Sequence, residues 1–375
     1  MIELSLMAHA RSATRRRINT ALLLLLALLL TTSSLAAETA SHGRLLELQI
    51  HGKSLDNNLL GFSTERDVLV YLPPSYDRGT RHYPVVYVLH GITDPLSTWT
   101  VPWSDEEIDY GTIQNLMDRG INSGLLQEMI LVLFDARTPY FGCHYVNSPV
   151  KGNWQDFLAH DLVSYIDSHY RTIARRESRG VMGHSMGGYG ALRAGLDRPD
   201  IFSAVYGLSP SVLGWSGDLS AQNPAFGVLA TEDEPSDHIN SDFYVGAFIG
   251  ISQAFSPNPN RPPYFADFPF KMSGKQLIPN QPAHELWETN FLANRIDHYL
   301  EQPFRLNGIR FDAGFADQYT HIPPTSRKFS EALTDKNIEH TFEMYNGDHR
   351  NRLWGESGRL YADVLPYLST TLMSE

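Results

Sequence analysis

The residues Gly183-His-Ser-Met-Gly187 combine a hydroxyl with glycines two positions to either side. A serine so flanked can sit on a turn too tight for side chains at Gly183 and Gly187. This is the G-x-S-x-G arrangement of a nucleophile elbow. The motif recurs by chance in unrelated chains, so it acquires meaning only from its surroundings and from two distant partners. A serine hydroxyl is a poor nucleophile until a base takes its proton. The chemistry on offer is therefore acyl transfer through Ser185, with a histidine as base and a carboxylate to orient it.

The surroundings fit. Gly180-Val-Met reads as a short strand entering the turn, and Gly188, Gly190, Ala191 and Ala194 follow it. A helix with so little side-chain volume can lie close against a sheet. At such a strand–helix junction the hydroxyl projects above the carboxyl edge of the sheet. The helix N-terminus offers the Met186 N–H to a developing oxyanion.

In this arrangement acid and base follow the serine in chain order. Candidate bases are His238, His284, His298, His321, His340 and His349. His340 starts a strand, whereas His349 sits in Asn346-Gly-Asp-His349, a loop just past the last expected strand, where a base can reach Ser185. For the acid, the strand Ile309–Ala313 runs into Gly314-Phe-Ala-Asp317, and Asp317 is placed to hold the second ring nitrogen of His349. Asp312 is the rival, but it falls within the strand. Asp335 follows the intervening helix, on the wrong side of the sheet. Asp135 ends a strand yet precedes the serine, which suits a structural or substrate-proximal role. His184 adjoins Ser185 on a sharp turn, so its side chain points away and is expected to pack. The second oxyanion donor belongs to the loop after the strand ending at Leu89; the Ile92 amide is the choice, with Gly91 behind it.

The elements that must position these residues are visible as apolar runs. Leu45–Ile50 and Asp67–Leu72 read as strands. Pro84–Leu89 and Met129–Phe134 are continuous apolar runs, as strands buried on both faces require. Trp154–Tyr170 has helical periodicity. Ala204–Leu208, Ile309–Ala313 and His340–Tyr345 read as further strands, with helices over Ser326–Leu333 and Tyr361–Leu372. Strands alternating with helices imply a mostly parallel sheet covered on both faces.

With those residues placed, the chain resembles the esterase D family of α/β-hydrolases, a group that includes feruloyl esterases, S-formylglutathione hydrolases and mycolyltransferases. The likeness rests on Val70-Tyr-Leu-Pro-Pro-Ser-Tyr76, Tyr83-Pro-Val-Val-Tyr-Val-Leu-His-Gly91, Tyr145-Val-Asn-Ser-Pro149, Gly183-His-Ser-Met-Gly-Gly-Tyr-Gly190 and Gly347-Asp-His349. The resemblance implies the α/β-hydrolase fold, an ester substrate (small-molecule or carbohydrate-linked), the triad Ser185, Asp317 and His349, and no cofactor. It leaves open whether water or a sugar or lipid hydroxyl receives the acyl group. One departure stands out. Residues about 212–303 form a long insertion holding Trp215, Phe226, Phe243, Tyr244, Phe248, Phe255 and further aromatics, too many for a disordered linker. Lying before the acid loop, it is expected to cap the site.

Composition narrows the setting. Arg15-Arg-Arg17, the apolar run Ala21–Leu30 and the small residues at Ser34-Leu-Ala36 have the order of a secretory signal peptide, residues 1–36. Ten apolar residues are too few to span a bilayer, so no stable membrane span is expected after cleavage. The exported domain, residues 37–375, would be periplasmic or secreted. The 375-residue chain has a formal charge of −12. Loss of the signal segment removes a net +3, and so acidic a protein has no electrostatic footprint for nucleic acid. Cys143 is the only cysteine, and no zinc-type ligand spacing appears, so neither a disulfide nor a metal site is expected.

Overall fold

A computed structural model describes residues 41–102, 110–231 and 242–375. The expected signal segment and His238 lie outside these residues. The strands, numbered along the chain, are β1 (Arg44–His51), β2 (Glu65–Leu72), β3 (Val85–Leu89), β4 (Ile130–Phe134), β5 (Asn147–Ser148), β6 (Gly152–Asn153), β7 (Arg179–His184), β8 (Ala204–Leu208), β9 (Phe270–Ser273), β10 (Gln276–Pro279), β11 (Gly308–Gly314) and β12 (Thr341–Tyr345). Eight of them form one sheet in the order β1-β2-β4-β3-β7-β8-β11-β12. β1 and β2 are antiparallel additions at one edge, and from β4 to β12 every neighbour is parallel.

Patterning explains the order. The continuous apolar runs of β3, β4 and β8 are buried along their whole length, as befits central parallel strands. β1 and β12, at the edges, alternate or stay exposed. Within β3, Val85, Tyr87 and Leu89 enter one hydrophobic cluster while Val86 and Val88 enter the other, so the sheet carries a core on each face. The helix Met186–Asp197 and the segment Trp154–His169 cover the first face. The helices Ile113–Asn122 and Leu365–Thr371 cover the second.

Strand order reverses at β3, which has β4 on one side and β7 on the other. The loops leaving β3 and β7 therefore diverge at the carboxyl edge and open a crevice there. Ile92 follows one of those strands and Ser185 the other.

Two sequence expectations need adjusting. The helix expected from Ser326 begins at Ile322, because Pro323 and Pro324 fill its first turn, where a missing N–H costs nothing. The insertion is more regular than its prolines suggest. It contains the helices Pro224–Thr231, Phe243–Phe255 and Ala283–Asn290 and the β9–β10 hairpin.

The elbow depends on backbone contact. A Cβ on Gly187 would fall on the Leu89 carbonyl and within 2.8 Å of the His90 carbonyl; one on Gly183 would lie 2.7 Å from the Leu89 oxygen. Gly187→Ala is expected to destabilise the fold by about 3 kcal/mol or more, since overpacking against backbone has no rotamer escape. Gly79→Ala, at a position with open space around it, should stay within about 0.5 kcal/mol. Urea unfolding of the two variants checks the contrast.

Candidate active site

Ser185 occupies the single residue between β7 and the helix Met186–Asp197, with φ 59° and ψ −116°. A non-glycine residue in such a conformation is strained and must be held. The holding is done by backbone. The Ser185 N–H donates to the Leu208 carbonyl at 2.9 Å, and the Ser211 N–H donates to the Ser185 carbonyl at 3.1 Å. Both clamps come from β8 and its exit loop.

Asp317 and His349 meet because β11 and β12 run parallel and end in register, Gly314 opposite Tyr345. Their exit loops stay joined, with Phe315 N–H donating to the Tyr345 carbonyl and Ala316 N–H to the Gly347 carbonyl, each at 2.9 Å. Asp317 Oδ2 then lies 2.7 Å from His349 Nδ1, and its Oδ1 accepts from the Tyr319 amide at 2.9 Å. His349 Nε2 is buried with no hydrogen-bond partner, and no hydrogen bond joins it to the Ser185 hydroxyl. Such bonds are often loose in free enzymes and tighten with substrate. The His349 ring packs edge-on against Tyr319 (centroids 4.8 Å apart), and Tyr319 lines one cavity with Ser185.

Burial dominates the electrostatics of this pair. It drives His349 well below the usual imidazole range, helped by the neighbouring Arg350 charge, so the ring is neutral and able to accept a proton. Burial also pushes the Asp317 carboxyl up, opposed by the Tyr319 amide and by His321. His184 was expected to pack, and it does, with its ring centroid 4.5 Å from that of His349. It also donates from Nε2 to the His349 carbonyl at 2.8 Å, which fixes the backbone of the base loop.

On the oxyanion side, Met186 is the first residue of its helix, so its N–H has no intrahelical acceptor. Ile92 lines the cavity with Ser185. Sequence reasoning missed what orients the Gly91–Ile92 peptide. His90 Nδ1 donates to the Gly91 carbonyl at 2.7 Å, and its Nε2 accepts from the Ala136 amide at 2.7 Å. A trans peptide points its N–H opposite its carbonyl, so fixing the Gly91 oxygen fixes the direction of the Ile92 N–H. Gly91 itself is needed for space, because a Cβ would come 2.6 Å from Asp94 Oδ2. Asp94 in turn pairs with Arg350 at 2.8 Å, tying the loop after β3 to the loop of His349.

The other candidates go elsewhere. Asp312 is fully buried in β11, where it accepts from Arg359 Nε (3.0 Å), Tyr206 Oη (3.0 Å) and the Ser209 amide (3.1 Å), a structural network. Asp135 pairs with Arg137 and approaches His90 Nε2 at 3.8 Å. Asp335 ends the helix that begins at Ile322. His284 stacks on Trp215, His298 is exposed beside Gln302, and His340 meets Ser330 Oγ at 2.7 Å. His321 does reach the cavity, but its Nδ1 lies 2.7 Å from Asp218 Oδ1. Asp218 Oδ2 also accepts from Tyr244 Oη at 2.7 Å.

The cavity is open and largely apolar. The insertion supplies much of its wall through Val212, Leu219, Phe243, Ala247, Phe248 and Ile251.

Comparison with known proteins identifies the family. The putative esterase family matches residues 61–358. The chain belongs to that family. Over 127 residues it is 32% identical to Esterase Rv1288 of Mycobacterium tuberculosis, covering 34% of this chain and 25% of that protein. Over 137 residues it is 28% identical to an endo-1,4-beta-xylanase/feruloyl esterase of Xylanibacter ruminicola, covering 36% of this chain and 18% of that one. The chain thus matches about a quarter or less of these curated relatives. Among solved structures, a ferulic acid esterase superposes with a TM-score of 0.56 at 19% identity, over 88% of this chain and all of the other. The S-formylglutathione hydrolase of Agrobacterium tumefaciens gives 0.55 at 18%, over 90% and 99%. At these identities the likeness is one of fold, and that fold is the α/β-hydrolase fold.

The Asp218 cluster yields a stability test. Burial alone would raise this carboxyl, but bonding to His321 and Tyr244 outweighs it and holds Asp218 at about 2, below its ordinary 3.8. A depressed carboxylate pKa contributes stability above about pH 4 that is lost as pH falls towards 2. Asp218→Asn is expected to lower stability by about 2 kcal/mol at pH 7, from charged hydrogen bonds made weaker. The gap between the two proteins should close between pH 4 and pH 2, as read by thermal unfolding at stepped pH.

Proposed function

We propose that this chain is an exported serine carboxylic-ester hydrolase. The observation that carries the reading is the buried His349 ring, bonded through Nδ1 to Asp317 and unbonded at Nε2, on the sheet edge that also presents Ser185. His349 takes the Ser185 proton as the hydroxyl attacks the ester carbonyl. Asp317 keeps the proton of the neutral ring on Nδ1, leaving Nε2 free as base, and stabilises the imidazolium that forms. The Met186 and Ile92 amides receive the tetrahedral oxyanion. The alcohol leaves with the proton held by His349, and water, activated by the same ring, releases the acid. Acyl transfer to a hydroxyl would share the acyl-enzyme, and no observed feature favours it.

Residues about 212–303 are read as the cap over this chemistry. In support, the helix Phe243–Phe255 walls the cavity that contains Ser185. Export is read from the Arg15–Ala36 pattern. Among the described residues no helix is long and apolar enough to cross a membrane. Since family relatives include a protein named feruloyl esterase, methyl ferulate belongs beside p-nitrophenyl esters of increasing chain length in the first assay.

A fluorophosphonate should label Ser185 alone, and Ser185→Ala should lose turnover on the order of 10⁴-fold or more. Asp317→Asn should fold and lose activity on the order of 10⁴-fold, because an amide no longer fixes the His349 tautomer. Asp312→Asn should spare kcat and instead lower Tm. Label mapped to another residue, or the two aspartates exchanged in effect, refutes the assignment.

The two shifts together set the pH profile. A base held neutral below its ordinary range does not itself limit activity as pH falls, so the acid limb of kcat/KM is expected from the Asp317 carboxyl, which burial raises to about 7. A profile level from about pH 8 to below about 6 would show that burial does not raise this carboxyl.

A further inference from the structure

We propose that His144 is the polar recognition residue of the Ser185 cavity, hydrogen-bonding a hydroxyl group on the substrate ester. The proposal builds on the serine-esterase reading by naming what the pocket selects.

His144 is 1% exposed, and it lines the cavity together with Ser185 and Ile92, its ring edge-on to Phe255. Its Nδ1 is buried with no hydrogen-bond partner. A buried polar group left unpaired is costly, and in native proteins such a group calls for an explanation. Asp218, Tyr244 and His321 in the same wall differ from it. Asp218 is taken up by His321 and Tyr244, and His321 Nε2 accepts from the Val212 amide at 3.3 Å. The Gly142 carbonyl is within weak hydrogen-bonding reach of the His144 ring, while it also accepts from Lys151 Nζ and Thr138 Oγ1.

The backbone holds His144 in this place against its own preference. Phe141, His144 and Tyr145 all have positive φ, at 69°, 56° and 53°. Strain of this kind persists where the surroundings over-determine it, and it clusters at ligand sites. Here the Tyr145 hydroxyl donates to the His90 carbonyl at 2.9 Å, and the buried Lys151 Nζ reaches the carbonyls of Gly142 and Gly250. Gly142, two residues before His144, abuts the side chains of Met186 and Ile92. The segment carrying His144 thus packs on the side chains of both residues whose amides are assigned to the oxyanion.

The chemistry of the ring selects the ligand. Burial, reinforced by the Lys151 charge, holds His144 well below the ordinary imidazole range, so it is neutral. A neutral imidazole nitrogen is either a donor or an acceptor according to the tautomer, and a hydroxyl, itself both, can answer Nδ1 in either form. A carboxylate or ammonium group on the substrate would need a charged partner in the wall, and the one carboxylate there is already saturated.

The test uses esters matched in shape with and without a hydroxyl. On the acyl side the pairs are methyl butanoate with methyl 3-hydroxybutanoate, and methyl 3-phenylpropanoate with its 4-hydroxyphenyl analogue. On the alcohol side the pair is ethyl butanoate with 2-hydroxyethyl butanoate. The wild-type chain should prefer the hydroxylated member of at least one pair by about tenfold in kcat/KM, the worth of one buried hydrogen bond. His144→Asn tolerates the left-handed backbone but is too short to reach the ligand, and it should bring that ratio close to one. His144→Gln, which is longer, should retain part of it. Absence of any such preference in the wild type, or an unchanged ratio in folded His144→Asn, overturns the proposal. The same pairs titrated by calorimetry into the Ser185→Ala chain give a readout free of turnover. Failure to hydrolyse any ester sinks the esterase reading, whereas equal binding of both members of every pair sinks the role of His144.

Discussion

The contact on which the site depends is backbone against backbone, where Gly187 lies on the Leu89 carbonyl. It brings the first turn of the helix Met186–Asp197 onto the end of β3. Because β3 and β7 are neighbours at the point where strand order reverses, that contact sets the Met186 amide beside the loop carrying Ile92. Side chains at Gly183 or Gly187 would hold the helix away from the strand and widen the distance between the two amides. An oxyanion hole works because its dipoles are fixed before charge develops, and on the proposed reading these two amides are fixed by the least deformable part of the fold.

The acid and base are held in a similar way, by paired strands ending together, but they bear an added electrostatic burden. Two ionisable groups sit almost fully buried 2.7 Å apart. Removing them from water disfavours charge on each, so the resting imidazole stays neutral. In the proposed mechanism charge appears on the ring only in the transition state, when the carboxylate is already in position. His184, Tyr319 and the Asp94–Arg350 pair enclose the ring and its loop, limiting its freedom to swing out towards solvent. Asp94 has a second task, since it lies against Gly91. The base loop and the oxyanion loop therefore share one support.

Much of this was legible in the sequence where structure is local. Continuous apolar runs identify β3, β4 and β8 because parallel central strands are buried on both faces. Asp317 and His349 can be paired because each lies just past a strand, and adjacent parallel strands deliver their exit loops to one edge. The insertion resisted the same reading. The helix Phe243–Phe255 is buried almost all round, so it lacks the one-sided periodicity that announces a helix. The partners Asp218, Tyr244 and His321 are separated by 26 and 77 residues and share no motif. His90 is visible as part of a His-Gly pair, but its hold on the Gly91 carbonyl follows from the orientation of one peptide plane, which no pattern of residue types encodes.

The insertion's attachment explains why polar residues were buried around an apolar cavity. Apolar packing alone would let the helix Phe243–Phe255 slide over the sheet edge, since one set of aliphatic contacts can replace another at little cost. Hydrogen bonds do not tolerate such slippage. On one side of the cavity Asp218, bonded to Tyr244 within the insertion, ties the insertion to the start of the helix after Asp317. On the other, Lys151 joins the Gly250 carbonyl of the insertion to the Gly142 carbonyl, and Gly142 rests on Met186. Burial pushes the Lys151 amine down to about 7, a sign of how much solvation it has given up to stand there. The two polar ties flank the cavity, one beside the acid loop and one beside the oxyanion amides. The width of the cleft is thereby coupled to the same backbone that positions the reacting groups.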